Sequence, residues 1–150
     1  MKILLQRVSK ASVSIDGKMY SSINNGILIF LGIKNTDTQE DAKYLAEKSC
    51  SLRIFDDAEG KMNLSVKDIQ GSILVVSQFT LYGDGRKGNR PSYTEAAKPE
   101  IAEPLYGYFV ETLRSIIGKE KIATGVFRAM MDIELVNNGP VTILLESNVK

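Results

Sequence analysis

Three short stretches hold the residue types that could do chemistry. Ser77-Gln78-Phe79-Thr80 sets two hydroxyls and a carboxamide at the end of an apolar run. A hydroxyl there becomes a nucleophile only if a neighbour takes its proton; otherwise the same groups hydrogen-bond a substrate or simply supply polarity at a strand end. The loop after it carries Arg86, Lys87 and Arg90, a cation spacing that suits phosphates and equally suits a solvated loop. Asn137-Asn138-Gly139-Pro140 lies between two strand-like runs, where ordinary turn chemistry and a cis X-Pro bond are both open.

The residue types that are missing narrow the chemistry further. With no His, the chain has no Ser-His-Asp or Cys-His triad, no HExxH zinc helix and no His-ligated catalytic metal. Cys50 stands alone, which removes zinc clusters, CxxC pairs and internal disulfides and fits a reducing, cytoplasmic setting. Asp56, Asp57 and Glu59 lack the order and the closing Glu of a calcium loop and read as a hairpin turn. Gly83-Asp84-Gly85-Arg86-Lys87-Gly88 matches GxGxxG, but Asn89-Arg90-Pro91 opens no apolar-periodic helix, so a dinucleotide site is not expected.

A chain of 150 residues with 43% hydrophobic and 25% charged residues fits one soluble domain, residues 1–150, with a core that needs no staple. A net charge of +1 is too small for non-specific nucleic-acid binding, so any RNA contact is a local patch and DNA is not an expected partner. Met1 to Arg7 turns polar too early for a secretion signal, and no apolar run approaches the ~20 residues of a membrane span.

Around these stretches the elements follow from periodicity. Val8, Val13 and Ile15 predict a long first strand turning at Gly17 into a second over 19–23. Ile27 to Leu31 is apolar throughout, as in a strand covered on both faces. Thr38 with Asp41 opens a helix over 38–50 whose inner face holds Ala42, Leu45, Ala46 and Ser49. Leu52 to Phe55 reads as a strand before a polar turn at 56–60, and Ile73 to Val76 as a buried strand running on into Ser77 to Leu81. A second helix carries Ile101, Leu105, Tyr108, Phe109, Leu113, Ile116 and Ile117 on one stripe and stops at Gly118, with Pro104 predicting a late start or a kink. Two last strands, about 130–136 and 141–146, flank Asn137 to Pro140. The sum is a single mixed α/β domain.

Read together, Gln6-Arg7-Val8, Leu52-Arg53-Ile54-Phe55, Gly60-Lys61-Met62-Asn63-Leu64-Ser65, Val76-Ser77-Gln78-Phe79-Thr80-Leu81, Arg86 to Ser92, and Val136-Asn137 with Gly139-Pro140-Val141-Thr142 resemble the D-aminoacyl-tRNA deacylase family, in order over essentially the whole chain. The resemblance implies a cytoplasmic homodimer that hydrolyses the ester between a D-amino acid and the 3′ end of tRNA, and also removes mischarged glycine. It implies a compact domain with a strongly curved, barrel-like mixed sheet and two helices packed outside, and no metal or organic cofactor. Carried over by position, Ser77, Gln78, Phe79 and Thr80 line the ester. Gly139 and Pro140 form a Gly-cis-Pro element inserted into the partner subunit, Arg7 holds that element, and Phe127 and Met131 bound the terminal adenosine. Arg86, Lys87 and Arg90 then meet tRNA phosphates. The chain departs from the family pattern at Val126, Arg128 and Met130, where Arg, Gly and Asp are usual, at Asn138 for Asp, and at Gly83 and Gly85 for Ala and Thr.

Without a base near pH 7, the expected mechanism is positioning of an ester already activated by the neighbouring ribose hydroxyl, with backbone N–H groups of Phe79 and Thr80 as oxyanion donors in place of a Thr80 acyl-enzyme. Asp84 and Asp132 are the nearest carboxylates in sequence. An enzyme that accepts many D-amino acids must contact the ammonium and Cα, a task for the Gly139 and Pro140 carbonyls. Two other readings share the same residues: a non-catalytic homodimer that holds RNA ends, and a related deacylase with relaxed chirality.

Overall fold

The computed structural model describes residues 1–147, and its first strand, β1 (Lys2–Ile15), organises the rest. Ile3, Leu5, Val8, Ala11 and Val13 are buried along it. It turns through Gly17 into β2 (Lys18–Ile23), and β3 (Gly26–Gly32) returns antiparallel along its first half. Helix α1 (Gln39–Ser51) follows, started by Asp41, whose carboxylate accepts the Thr38 N–H at 2.8 Å and hydroxyl at 3.0 Å. Ala42, Leu45, Ala46 and Ser49 form its buried face, as their spacing predicts.

The next segment departs from expectation. Of Leu52 to Phe55 only Phe55 is in a strand: β4 (Phe55–Asp56) pairs with β5 (Met62–Leu64) as a small separate hairpin. Arg53 reaches across it, donating from Nε to the Asn63 carbonyl at 3.0 Å. Asp57 shapes the turn by accepting the N–H groups of Glu59 at 2.9 Å and Lys61 at 3.0 Å, so its carboxylate serves the loop, as the hairpin reading requires.

β6 (Ser72–Ser77) then enters the main sheet parallel to β3. It does not run on through Leu81. The Gln78 N–H makes the last bond to the neighbouring strand, to the Leu31 carbonyl at 2.8 Å, β3 ends at Gly32, and Phe79–Tyr82 coil into a 3₁₀ turn. With no neighbour left to pair, an extended backbone has nowhere to place its N–H groups, and the 3₁₀ turn supplies local acceptors.

Helix α2 (Pro99–Ile117) starts early, with Pro99 in its first turn, and runs on through Pro104. The missing Pro104 N–H would have met the carbonyl of Glu100, an exposed residue whose oxygen water can satisfy. Its buried face holds Ala102, Leu105, Tyr106, Phe109, Val110 and Leu113; Ile101, expected on that stripe, is exposed. Gly118 ends it, with φ +106. β7 (Ile122–Thr124), too short to be seen by periodicity, pairs parallel to β6. The two strands expected at the end are one element, β8 (Asp132–Glu146), running antiparallel along β1. Between Gln6↔Thr142 and Val8↔Asn137 the register breaks, and residues 138–141 loop out opposite Arg7 alone.

The main sheet is therefore mixed, and β1 lies between β3 and β8 in its first half and between β2 and β8 in its second. It curls almost into a barrel with both helices outside, as the family resemblance implies. Ile27, Ile29, Ile73 and Val75 face the helices, while Leu28, Leu74 and Val76 pack with Val8, Val13 and Ile23 on the other face. Burial on both faces is what a continuous apolar run encodes.

Candidate active site

Where β3 and β6 end side by side, at Leu31↔Ser77, the chain leaves the sheet and opens a cavity of about 750 Å³. Leu31, Ile33 and Val76 line its apolar part, Ser77, Gln78 and Phe79 form one wall, and Phe127 to Met131 another. Phe79 is 58% exposed and meets Tyr93 edge to face at 5.2 Å between centroids. The Gln78 side-chain amide donates to the Thr80 hydroxyl oxygen. In a 3₁₀ turn that begins at Phe79, the N–H groups of Phe79 and Thr80 have no carbonyl within the turn to bond; Leu81 is the first that does, to the Gln78 carbonyl at 3.2 Å.

The opposite wall is fastened to β6 from behind. The Gly125 N–H donates to the Val75 carbonyl at 3.0 Å, and the buried Tyr106 hydroxyl donates to the same oxygen at 2.9 Å. The Tyr106 ring lies 5.8 Å from that of Phe127, and a Cβ on Gly125 would stand 2.6 Å from the Met131 sulfur, so glycine here lets the Met131 side chain lie against the backbone. Burial pushes the Tyr106 hydroxyl's pKa up, so it stays a neutral donor.

Gly139 and Pro140 lie elsewhere. They are exposed, their peptide bond is cis, and they are not among the residues that line the cavity of their own chain. Arg7 holds this turn from beneath: Nε donates to the Asn138 carbonyl at 3.0 Å and Nη1 to the buried Ile54 carbonyl at 2.8 Å, with Asp56 at 3.8 Å. The Asn137 amide pins the base of the turn, donating to the carbonyls of Arg7 and Val141 at 3.0 Å each. One chain thus brings Ser77, Gln78, Phe79, Phe127 and Met131 around one cavity, with Thr80 beside them, and places Gly139, Pro140 and Arg7 in a second group.

The cation loop closes at its base through paired Asp84 and Ser92 backbones, which carries Tyr93 to Phe79. Arg86 is not free, because its Nε and Nη2 donate to the two Asp84 oxygens at 2.9 and 2.7 Å. Those bonds, with one from the Arg86 backbone, hold the Asp84 carboxyl down at about 2, so it is no base near neutrality. Lys87 and Arg90 bond to no described residue. No helix opens at Gly88, the next one starting only at Pro99, in line with rejection of the dinucleotide reading, and no cluster of potential metal ligands occurs among the described residues.

Tyr93 was not singled out from sequence. Its signal is an aromatic side chain in a polar loop with no core of its own to join. The arrangement offers an apolar slot with a polar rim, two free backbone donors and no general base. That equipment suits a reactive ester far better than an amide.

The chain matches the family model described as D-Tyr-tRNA(Tyr) deacylase over residues 4–146. Proteins named D-aminoacyl-tRNA deacylase are similar along nearly their whole length: that of Flavobacterium psychrophilum is 55% identical, covering 100% of this chain and 99% of its own, and that of Fervidobacterium nodosum is 54% identical, covering 98% and 97%. Among solved structures, the c-Myc DNA Unwinding Element Binding Protein superposes with a TM-score of 0.93 at 44% identity, covering 97% of this chain and 98% of its own. A probable eukaryotic D-amino acid tRNA deacylase shares the fold alone, with a TM-score of 0.83 at 15% identity and the same coverage.

Proposed function

The chain belongs to the D-Tyr-tRNA(Tyr) deacylase family, and on that premise we propose that it is a chiral proofreading enzyme working as a homodimer in the cytoplasm. The activity is hydrolysis of the ester of D-aminoacyl-tRNA. The observation that carries the finer reading is the break of β6 into a 3₁₀ turn at the mouth of the cavity, which leaves the Phe79 and Thr80 N–H groups free. Water adds to the ester carbonyl, the N–H groups receive the developing oxyanion, and the ribose oxygen leaves with a proton, helped by the neighbouring ribose hydroxyl. Thr80 stays a hydrogen-bonding side chain, because its one side-chain partner among the described residues, the Gln78 amide, is a donor and takes no proton.

Selection falls to Gly139 and Pro140 of the partner subunit. Their carbonyls accept from the substrate ammonium and stand where an L side chain would project, so D-amino acids and glycine pass. Support comes from the exposure of this turn, its fixation by Arg7 and its absence from the cavity of its own chain. A two-fold pairing would let each subunit complete the other. The test is deacylation of matched D- and L-aminoacyl-tRNA and glycyl-tRNA by purified protein, alongside sedimentation. Turnover of the D and glycyl esters alone by a dimer is expected. An active monomer, or equal turnover of the L ester, overturns the selection mechanism.

A further inference from the structure

Among the described residues that line the cavity, Arg128 is the only charged one. Four of the other arginines are engaged by the protein: Arg7, Arg53, Arg86 and Arg114 each donate to a carbonyl or a carboxylate. Arg128 is exposed and bonds to no described residue. Its backbone has φ +69, in the left-handed region that suits glycine, within a turn closed by the Ala129 N–H on the Val126 carbonyl at 3.1 Å. Phe127 against Tyr106 on one side and Met131 against Gly125 on the other anchor that turn. The chain thus holds a guanidinium with no partner among the described residues, on the rim of a slot whose other described lining residues are uncharged, in a backbone conformation that its side chain does nothing to favour.

We propose that Arg128 binds the phosphate on the 5′ side of the terminal nucleoside, and so acts as a specificity residue for the nucleotide end of the substrate. The proposal rests on the deacylase reading, which puts the ester at Ser77 to Thr80 and the nucleoside across the cavity toward Phe127. The ester hangs from one side of the ribose and the phosphodiester from the other, so with the ester at Ser77 to Thr80 the phosphate would emerge toward the nucleoside's wall, the one that carries Arg128 beside Phe127. A planar guanidinium matches two phosphate oxygens at once, which an ammonium cannot do in the same geometry. Nothing else on this wall could neutralise the phosphate, since Val126, Phe127, Ala129, Met130 and Met131 are uncharged.

The experiment compares wild type with Arg128→Gln, Arg128→Lys and Arg128→Gly. D-aminoacyl-tRNA is the substrate, and adenosine and adenosine 5′-monophosphate are competing inhibitors. Wild type should be inhibited about tenfold more strongly by the monophosphate than by adenosine, the scale of one charged hydrogen-bonded contact at a wet rim. Arg128→Gln should erase that difference, raise KM for the tRNA with little change in kcat, and make the salt dependence of log KM shallower by about 0.7, the value of one single-strand phosphate. Arg128→Lys should recover part of the affinity. Arg128→Gly should lose it while its Tm is unchanged or higher, because glycine accepts φ +69 freely; a merely structural arginine would lower Tm instead. Equal inhibition of wild type by adenosine and its 5′-monophosphate, or unchanged KM in Arg128→Gln, overturns the phosphate assignment while leaving the deacylase reading standing. Failure of wild type to release the D-amino acid would remove both.

Discussion

Replacing Gly139 by Ala tests whether the Arg7-supported turn is built as described. At φ +123 an L residue costs about 1–3 kcal/mol on backbone grounds alone. The new Cβ would also stand 2.8 Å from Arg7 Nη2 and 3.0 Å from Val141 Cγ2. A guanidinium at the tip of a long side chain usually yields at little cost. Arg7 as a residue is only 8% exposed, and its guanidinium is fixed by the Asn138 and Ile54 carbonyls at 3.0 and 2.8 Å. Giving up one such charged bond costs about 1.5–3 kcal/mol. The sum is about 2.5–6 kcal/mol, which for a chain of this size lowers Tm by roughly 5–20 °C. Denaturant melts at one fixed protein concentration measure it, with an unchanged m-value marking a pure stability loss. In an Arg7→Ala background the contact with the guanidinium is gone, and the backbone part, about 1–3 kcal/mol, should remain together with the tight approach to Val141. A Gly139→Ala protein within about 0.5 kcal/mol of wild type would refute the reasoning. The same penalty in both backgrounds would refute the part assigned to Arg7.

Thr80→Ala should keep hydrolysis within about tenfold of wild type in single-turnover assays, since the donors are backbone N–H groups; loss of several orders of magnitude, or a trapped acyl-Thr80, would establish covalent catalysis. Lys87→Ala with Arg90→Ala should weaken tRNA binding and make its salt slope shallower by about 1–2, whereas Arg86→Ala should do less because Asp84 already holds that guanidinium; equal effects at all three positions would contradict the pairing. Burial pushes the Cys50 thiol up to about 11, with Lys67 opposing weakly. The folded pKa lies above the ordinary thiol value of 9.0, so its contribution to stability is complete below pH 9 and is lost as pH rises toward 11. Alkylation of native protein at pH 8–9 should therefore be slow and track unfolding, and rapid labelling without loss of structure would show the thiol to be accessible.

Much of the scaffold was legible because its causes are local. The unbroken apolar runs Ile27 to Leu31 and Ile73 to Val76 could be stable only between two apolar layers, the Thr38 and Asp41 pair could start a helix without help, and Gly118 could stop one. The lack of His excluded the common hydrolase triads whatever the fold. The family, too, was readable, because its motifs are contiguous. What the sequence left open depends on where neighbouring strands end and which distant groups meet. Ser77 to Leu81 has the composition of a strand, yet β3 stops at Gly32, and the unpaired backbone turns and frees two N–H groups at a cavity mouth. Ile101 fits a helical stripe drawn on its own chain, but α2 is oriented by α1 and the sheet, which select Tyr106 and Val110 instead. Arg86 and Arg128 are equally plausible phosphate ligands as letters. Only the fold sets one against Asp84 and holds the other, without a partner among the described residues, over the cavity, because a charge's role is decided by what stands within a few ångströms of it.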